Sequence, residues 1–415
     1  MASVGAARRK VKRDATTMNV DTARHRCPPQ AAGSRLHLPK RENLLMSDQK
    51  STSNFRAFER PTLQAMQGYV PGAQPGPGAI KLNTNESAWP PGAAVGVALR
   101  EIKAQDLWRY PDPLATNFRV TAARLHGVDP TQVMATNGGD ELLRLIFTTF
   151  AEPGARVGLL SPGYGIYDIQ AAIHAAEPVR VELEDDWSIP LDIAEQWNRA
   201  GVQLAIITNP HAPSGRLTDA IEIARIAGGF RGILLVDEAY VDFVDPDLKH
   251  DLIPLLAMYP NLVLLRSLSK GYGLAGLRLG YAVGSDPVIR PMMEKTRDSY
   301  NVDTVAQILG RAALEDQAHR RLIADHVRAE RRHLGTMLEK LGFDVAPSQA
   351  NFLFSDRPHG PESAEKLLHA MSEQNVWLRW FDTPRTRKGL RISIGTSEET
   401  EILMATLRDL VRGGY

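Results

Sequence analysis

Short apolar runs alternate with stretches of helical spacing through the middle of this chain of 415 residues. Five runs have the length and composition of buried strands, at residues 156–160, 204–208, 233–236, 262–265 and 279–283. Helical spacing lies between them, for example over residues 217–228 and 252–259. The alternation predicts an α/β fold with a mostly parallel central sheet and helices on both faces.

The two ends of the chain follow other patterns. Pro and Gly interrupt residues 55–91, which we interpret as an arm or loop segment. After about residue 304 the sequence predicts a small α+β domain. Its expected elements are a long charged helix over 305–341, a strand near 351–354, a helix over about 361–374, strands near 376 and 390, and a last helix after residue 397.

The length favours more than one domain, because a chain of this size exceeds a single compact core. We predict four segments, which are a disordered extension at 1–46, an arm with part of the small domain at 47–94, a large domain at 95–304 and a small C-terminal domain at 305–415. The basic cluster near the start lacks a following apolar stretch, so it does not indicate a secretory signal. An organelle-targeting segment is the alternative for these first residues.

Charge and cysteine content exclude several classes of protein. With 49 basic and 48 acidic residues the net charge is +1, which gives no overall field for nucleic acid or an anionic membrane. The single cysteine, Cys27, cannot form an internal disulfide, and no run of about 18 apolar residues offers a membrane span. We therefore expect a cytoplasmic protein with neither nucleic acid nor membrane as a partner.

Polar side chains directly follow three of the predicted strands. Asn209 follows the run at 204–208, Asp237 follows the run at 233–236, and Lys270 lies just beyond the run at 262–265. Ligands of open parallel sheets bind beyond the carboxyl ends of the strands, where these side chains converge. The sequence therefore predicts a ligand site at this edge.

The residue types at this edge suit a cofactor that stabilises a carbanion. Such chemistry needs an amine that attacks an aldehyde, a carboxylate beside a ring nitrogen, and an anchor for a phosphate. Lys270 supplies an amine that burial would make nucleophilic, and Asp237 supplies the carboxylate. Ser267, Ser269 and Arg278 supply two hydroxyls and a guanidinium for the phosphate.

A second anion-binding element precedes the first predicted strand. Residues 136–141 read Thr-Asn-Gly-Gly-Asp-Glu and open onto an amphipathic stretch. Free backbone amides at the start of such a helix attract anions, and Gly139 and Asp140 lie there. A plain helix cap in which Asp140 is the N-terminal charge has the same sequence pattern. We expect no metal at the site.

Residues 267–280, which read Ser-Leu-Ser-Lys-Gly-Tyr-Gly-Leu-Ala-Gly-Leu-Arg-Leu-Gly, resemble the fold-type I aminotransferases, and most closely the histidinol-phosphate group. The resemblance runs from about Tyr69 to Gly395. It implies a fold-type I fold with pyridoxal 5′-phosphate as the cofactor. It also implies that Lys270 forms the Schiff base and that Arg278 holds the phosphate.

The same resemblance assigns further contacts with the cofactor. It implies that Asp237 pairs with the ring nitrogen and that Tyr240 and Asn209 reach the phenolic oxygen. It implies a ring-stacking role for Tyr164 and phosphate contacts for Gly139 and Asp140. Tyr110, in Arg-Tyr-Pro-Asp-Pro, resembles the tyrosine that reaches the phosphate of the partner subunit. A homodimer with shared active sites is thereby implied.

Substrate contacts are implied for five residues, one of which is Asn209. Arg391 resembles an arginine that binds a substrate anion, and Arg379 matches a second arginine of the histidinol-phosphate group. Tyr69 and Asn85 match amino-terminal substrate contacts. Two arginines suit a phosphate. The alternative for Arg379 is a surface arginine stacked on a neighbouring tryptophan.

The resemblance implies transfer of an amino group from L-histidinol phosphate to 2-oxoglutarate, giving imidazole-acetol phosphate and L-glutamate in histidine biosynthesis. Ser87, Ala88 and Ala212 depart from the pattern, since asparagine is usual at the position of Ala212. The alternatives are an aromatic or broad-specificity aminotransferase, a pyridoxal-phosphate-dependent decarboxylase of a phosphorylated amino acid, and a non-catalytic regulator with this fold.

Overall fold

The computed structural model of the chain describes residues 58–64, 66, 68–356 and 361–413. Its strands, in chain order, are β1 (Ile80–Lys81), β2 (Val133–Thr136), β3 (Arg156–Ser161), β4 (Glu177–Glu182), β5 (Val202–Thr208), β6 (Ile233–Asp237), β7 (Leu262–Ser267), β8 (Gly280–Gly284), β9 (Asp344–Val345), β10 (Phe352–Asp356), β11 (Val376–Trp377) and β12 (Gly389–Ser393). Its α-helices are α1 (Pro61–Gln64), α2 (Ala93–Glu101), α3 (Thr116–His126), α4 (Gly138–Phe150), α5 (Ile166–Ile173), α6 (Ile193–Ala200), α7 (Ala220–Gly229), α8 (Asp286–Pro291), α9 (Thr304–Glu315), α10 (Gln317–Lys340), α11 (Pro361–Glu373) and α12 (Ser397–Gly413).

Seven strands form the central sheet in the order β2-β8-β7-β6-β5-β3-β4. Strands β4, β3, β5, β6 and β7 pair in parallel, and β8 runs antiparallel to both of its neighbours. The predicted mostly parallel sheet is confirmed. Strands β2 and β4 were not among the predicted strands, and they lie at the two edges of the sheet.

The central strands are apolar because both faces of the sheet are covered. On β6, Leu234 and Val236 face one hydrophobic cluster, whereas Leu235 faces the other. Helix α4 covers the face of Leu235 with residues such as Leu145. Helices α3 and α9 cover the opposite face, where Phe118 is fully buried. The predicted cover of helices on both faces is confirmed.

Two small sheets lie outside the central sheet and contain the C-terminal strands together with β1. Strands β12, β10 and β9 form an antiparallel sheet, and β1 pairs in parallel with β11. Leu334 of α10, Leu353 of β10, Ile392 of β12 and Leu403 of α12 share one hydrophobic cluster. The short strands and helices predicted for this part of the chain are therefore present.

Two predicted helices differ from the structure. The helix expected over 305–341 is two helices, because Asp316 ends α9 and its carboxylate caps α10 by accepting from the His319 N–H at 3.1 Å. The helical spacing at 252–259 forms only a short 3₁₀ helix, Ile253–Ala257. The Asp316 carboxylate satisfies one of the amides that the start of α10 leaves free.

From Arg60 onward the described residues belong to one compact unit. The predicted domain boundaries after residues 94 and 304 stay predictions. The segment 1–46 lies outside the described residues. Among the helices that the structure describes, none has the length and apolar character needed to cross a membrane.

Candidate active site

Lys270 lies in the turn that follows strand β7, at the carboxyl edge of the sheet. Its Nζ donates a hydrogen bond of 3.0 Å to the carbonyl oxygen of Thr84, which belongs to the segment after β1. Burial lowers the pKa of this amine to about 8, and the positive charge of Arg391 adds to the effect. A sizeable fraction of Lys270 is therefore neutral near pH 7.5, and a neutral amine is nucleophilic.

Asp237 ends strand β6 and is 5% exposed. Its Oδ2 accepts a hydrogen bond of 2.8 Å from the Tyr167 hydroxyl, and its Oδ1 accepts one of 3.0 Å from the Ala239 N–H. Burial raises the pKa of the carboxyl to about 6 despite these donors. Within the described part of the chain Asp237 forms no ion pair, so its charge is poorly compensated.

An anion cradle forms where helix α4 begins. Gly138 has φ of +74°, and a Cβ atom there would lie 2.7 Å from Nη2 of Arg278. Arg278 Nη2 lies 3.3 Å from the Asp140 carboxylate, and both side chains are about half exposed. The first amides of α4, including that of Gly139, have no partner within the helix. Backbone amides and a guanidinium thus converge on one small volume, as phosphate binding requires.

The predicted serines belong to the turn that leads to Lys270. Ser267 is the last residue of β7, and its Oγ accepts a hydrogen bond of 3.1 Å from the Ser269 N–H. Ser269 is buried, at 7% exposure. The two residues therefore shape the turn, and their hydroxyls lie in the same short segment as the lysine.

Two tyrosines meet edge to face beside the buried carboxylate. The rings of Tyr69 and Tyr164 are 6.0 Å apart, and those of Tyr164 and Tyr167 are 5.5 Å apart. Tyr69 keeps 41% of its surface exposed, so it lies at the rim. The rings of Tyr69, Tyr164 and Tyr167 therefore form a row that leads from the rim to Tyr167, which contacts Asp237.

Arg379 and Arg391 lie directly opposite each other across an antiparallel bridge. The Arg379 N–H donates to the Arg391 oxygen at 3.1 Å, and the Arg391 N–H donates to the Arg379 oxygen at 2.8 Å. Directly opposed residues point their side chains to the same face. Both guanidinium groups lie near the ring of Phe381, at 5.4 Å and 5.2 Å. The two cations are therefore neighbours beside one aromatic ring.

The partners of the two arginines leave donors free for a ligand. Arg391 Nη2 donates to the Asn83 oxygen at 3.0 Å, and its buried Nε has no hydrogen-bond partner within the described residues. Arg379 Nη2 donates to the Val70 oxygen at 3.2 Å. Phe381, and not a tryptophan, supplies the aromatic face beneath Arg379. Two adjacent cations with unused N–H groups suit a dianion.

Asn85 and Tyr240 form one hydrogen-bonded pair. Asn85 is buried and its Nδ2 donates to the Tyr240 oxygen at 3.1 Å. The Tyr240 ring packs edge to face on Phe352 at 5.0 Å and shares an apolar cluster with Ala212. The side-chain amide of Asn85 is therefore engaged by Tyr240.

The side-chain amide of Asn209 is engaged within its own loop, and its contact with the cofactor stays a prediction. Asn209 Oδ1 accepts from the Thr218 N–H at 2.8 Å, and its Nδ2 donates to the Thr218 oxygen at 2.9 Å. Thr208, one residue earlier, lies 2.7 Å from the Tyr167 hydroxyl, so the next side chain points to the opposite face of the sheet. The amide of Asn209 therefore closes its own loop and does not face the Tyr167 side.

Tyr110 is separate from these residues within one chain. Its ring is 79% exposed and stacks on Tyr300 with centroids 4.4 Å apart. Leu107 and Trp108 beside it are 54% and 75% exposed. Together these four residues form an exposed apolar face, which we call the aromatic face.

Three contacts of the site were not predicted. They are the Tyr167 and Thr208 hydroxyls beside Asp237 and the Thr84 carbonyl that accepts from Lys270. Tyr167 lies in the first turn of α5, three positions after Tyr164, and this pair of closely spaced tyrosines is a signal that could have identified it. The carbonyl of Thr84 carries no sequence signal, because every residue has one.

The sheet, the partly buried lysine at its carboxyl edge and the buried carboxylate at the end of the neighbouring strand define a transferase of fold type I. Residues 77–407 match the family described as aminotransferase class I and II, and the chain belongs to that family. The predicted family and enzyme class are confirmed.

Several relatives carry a narrower name. The chain is 38% identical over 357 residues to histidinol-phosphate aminotransferase 1 of Trichormus variabilis, covering 86% of this chain and 99% of the relative. It is 37% identical to histidinol-phosphate aminotransferase of Rhodopirellula baltica, covering 83% and 93%. A crystal structure of histidinol-phosphate aminotransferase from Sinorhizobium meliloti in complex with pyridoxal-5′-phosphate is similar, with a TM-score of 0.79, 26% identity and coverage of 86% and 98%.

Proposed function

We propose that this protein transfers the amino group of L-histidinol phosphate to 2-oxoglutarate, with pyridoxal 5′-phosphate as its cofactor, in histidine biosynthesis in the cytoplasm. The observation that carries the choice of substrate is the placement of Arg379 directly opposite Arg391. A phosphate dianion accepts several charge-assisted hydrogen bonds from two such cations. The names of the relatives agree with this choice.

The residues present fit the proposed cofactor. Asp237 is a buried carboxylate without a cation beside it in the described residues, which is costly unless a positive group binds there. A protonated ring nitrogen would supply that charge. Arg278 and the first amides of α4, with Gly139 and Asp140, would hold the cofactor phosphate. Ser267 and Ser269 would add hydroxyl donors, and Tyr164 would cover the ring.

Pyridoxal phosphate, when bound, supplies an aldehyde that condenses with amines and a protonated ring that accepts the electron pair of a Cα–H bond. Lys270 would hold the cofactor through its amine. Once the substrate amine has taken its place, Nζ of Lys270 would be the base that takes the Cα proton, and burial favours its neutral form. Tyr240 would hold the phenolic oxygen, and Arg379 and Arg391 would fix the substrate phosphate.

We further propose a homodimer in which Tyr110 reaches the site of the partner subunit. The aromatic face leaves Trp108 and Tyr110 more than 70% exposed, and large apolar side chains of this kind usually become buried in an interface. Tyr69 and its neighbours at the rim of the site complete the substrate pocket of each subunit.

The test is a substrate comparison with purified protein, 2-oxoglutarate as the acceptor and glutamate as the measured product. We expect histidinol phosphate to be used with a kcat/KM at least about 100-fold above that of histidinol, which lacks only the phosphate. Phenylalanine reports an aromatic aminotransferase, and O-phosphothreonine with detection of carbon dioxide reports a decarboxylase. Equal use of histidinol and its phosphate, or release of carbon dioxide without glutamate, would contradict the proposal.

A further inference from the structure

Four polar groups form a directional chain that ends at the hydroxyl of Tyr240. The Asn85 N–H donates to Ser393 Oγ at 2.9 Å, and Ser393 Oγ donates to Asn85 Oδ1 at 3.1 Å. Asn85 Nδ2 then donates to the Tyr240 oxygen at 3.1 Å. Asn85 and Ser393 are 1% and 2% exposed, so water does not compete for these contacts.

The chemistry of these groups fixes the direction of each hydrogen bond. A backbone N–H can only donate, so Ser393 Oγ accepts from it and keeps its own hydrogen for a second partner. That partner is Asn85 Oδ1. If the amide were reversed, the Ser393 hydroxyl hydrogen would lack an acceptor in the described part of the chain. The amide nitrogen of Asn85 therefore faces Tyr240.

This orientation determines what the Tyr240 hydroxyl can do. Since an amide nitrogen has no lone pair to offer, the Tyr240 oxygen accepts from Asn85 and its hydrogen remains free. Within the described residues the Tyr240 hydrogen has no acceptor. Ala212, where the resembling group usually has asparagine, adds only a methyl group to the cluster beside Tyr240. The Tyr240 hydroxyl can therefore donate a hydrogen bond to a ligand in the site.

The backbone also holds this chain of contacts in place. Asn85 has φ of +54°, a left-handed conformation that asparagine tolerates better than most residues. Its carbonyl accepts from Asn351 Nδ2 at 3.0 Å. Ser393 ends β12, and its N–H donates to the Leu82 oxygen at 2.9 Å. The small sheet and the segment after β1 therefore fix Asn85 from both sides.

We infer that Ser393 and Asn85 are positioning residues that set the Tyr240 hydroxyl as a hydrogen-bond donor toward the phenolic oxygen of the cofactor. This inference rests on the proposed function and replaces the predicted contact of Asn85 with the substrate. Ser393 touches neither the cofactor nor the substrate in this account. It acts through Asn85 and Tyr240.

The effect can be read from the visible absorption of the pyridoxal-phosphate-loaded protein as a function of pH. The phenolic oxygen of the cofactor would share a proton with Nζ of Lys270. A hydrogen-bond donor to that oxygen stabilises its negative charge and so favours loss of the shared proton. Weakening the donor should therefore raise the pH midpoint of the absorption change. Tyr240→Phe removes the donor, and we expect a rise of about one pH unit. For Ser393→Ala we expect a rise of about half a unit.

Two comparisons separate this role from a general structural effect. Ser355 lies on β10, is 1% exposed, and its Oγ has no partner among the described residues, so Ser355→Ala is a matched buried control that should leave the midpoint unchanged. In the Tyr240→Phe background, Ser393→Ala should cause no additional shift, because its effect passes through the missing hydroxyl.

The outcomes are distinct. A Ser393→Ala shift that persists in full without the Tyr240 hydroxyl, or one no larger than that of Ser355→Ala, would overturn the inference. If Ser393→Ala does not fold, Asn85→Asp tests the same point, since it retains the backbone preference but cannot donate to Tyr240, and its coupling with Tyr240→Phe should again be strong. Absence of a visible band in the wild-type protein supplied with pyridoxal phosphate would instead contradict the proposed function.

Discussion

The hydroxyl of Tyr167 donates a hydrogen bond of 2.8 Å to the carboxylate of Asp237. Tyr167 is 4% exposed, and its oxygen also lies 2.7 Å from Thr208 Oγ1. The tyrosine on α5 therefore supplies one of two donors that hold the carboxylate at the end of β6. A ring nitrogen bound there would face a carboxylate whose position and charge depend on this tyrosine.

We expect Tyr167→Phe to lower kcat about tenfold, because loss of one hydrogen bond to a charged group is worth roughly 1.5 kcal/mol. The pKa of Asp237 should rise further, since the lost donor favours its ionised form. The lower limb of the kcat-against-pH profile should move to higher pH. Tyr259→Phe, which changes a partly buried tyrosine beside Gly228, is the control. Equal profiles for the two variants would remove Tyr167 from the site.

The raised pKa of Asp237 predicts a dependence of stability on pH in the cofactor-free protein. The carboxyl has a pKa of about 6 when folded and an ordinary value of 3.8. Between these values the folded state binds more protons than the unfolded state, so the free energy of unfolding falls as pH rises from about 4 to 6 and stays lower above that range. Ionised Asp237 is thus a destabilising group when no cation is bound.

Asp237→Asn should remove this pH-dependent contribution to the free energy of unfolding. Relative to wild type, the cofactor-free variant should gain about 2 to 3 kcal/mol of stability between pH 4 and pH 8. Urea unfolding at several pH values in that range measures the difference. Parallel stability curves for variant and wild type would contradict a raised pKa at Asp237. The loaded variant should nevertheless be slower, because it lacks the charge that keeps the ring nitrogen protonated.

Arg379→Gln should weaken the hold on a substrate phosphate. We expect the KM for histidinol phosphate to rise about 10- to 100-fold, the equivalent of one or two charge-assisted hydrogen bonds, whereas turnover of histidinol should change little. Lys388→Gln removes an exposed positive charge from the same segment and serves as the control. If histidinol and its phosphate respond alike to Arg379→Gln, a general aromatic aminotransferase becomes the better account.

Sharing of sites between subunits can be tested with two inactive proteins. Under the proposal, a hybrid of Lys270→Ala and Tyr110→Ala subunits contains one site with both native residues and one with neither. Unfolding and refolding an equal mixture should restore activity to about a quarter of the wild-type sites. Mixing without subunit exchange is the control. A mixture no more active than the sum of its parts would show that Tyr110 does not serve the partner's site.

Much of the fold follows from the sequence because buried parallel strands need apolar residues on both faces. The runs at 233–236 and 262–265 agree with β6 and β7 to within two residues. The strands that were not predicted have weaker signals. Strand β4 carries glutamates at both ends and only one buried residue, and β2 has four residues. Their pairing is decided by neighbours far along the chain.

Some residues of the candidate site could likewise be predicted from the sequence, and others could not. Lys270 and Asp237 could be identified because each directly follows an apolar run, where a parallel sheet collects its ligands. Asn209 follows such a run too, yet its side chain points to the other face and closes a loop with Thr218. The face of the sheet to which a side chain points alternates along a strand, so a shift of one residue moves the side chain to the opposite face. The link from Ser393 to Asn85 spans 308 positions, so no local pattern could reveal it.

The most direct test of the account is to locate the amine that holds the cofactor. Borohydride reduces the bond between a lysine amine and the cofactor aldehyde, so mass spectrometry of the digested protein identifies the labelled lysine. Lys81 is the sharpest competitor, because its charge also influences the pKa of Lys270, although its amine is paired with Glu86. The account predicts label on Lys270 alone and loss of transamination by several orders of magnitude in Lys270→Ala. Label on Lys81, or a Lys270→Ala protein that transaminates at the wild-type rate, would contradict it.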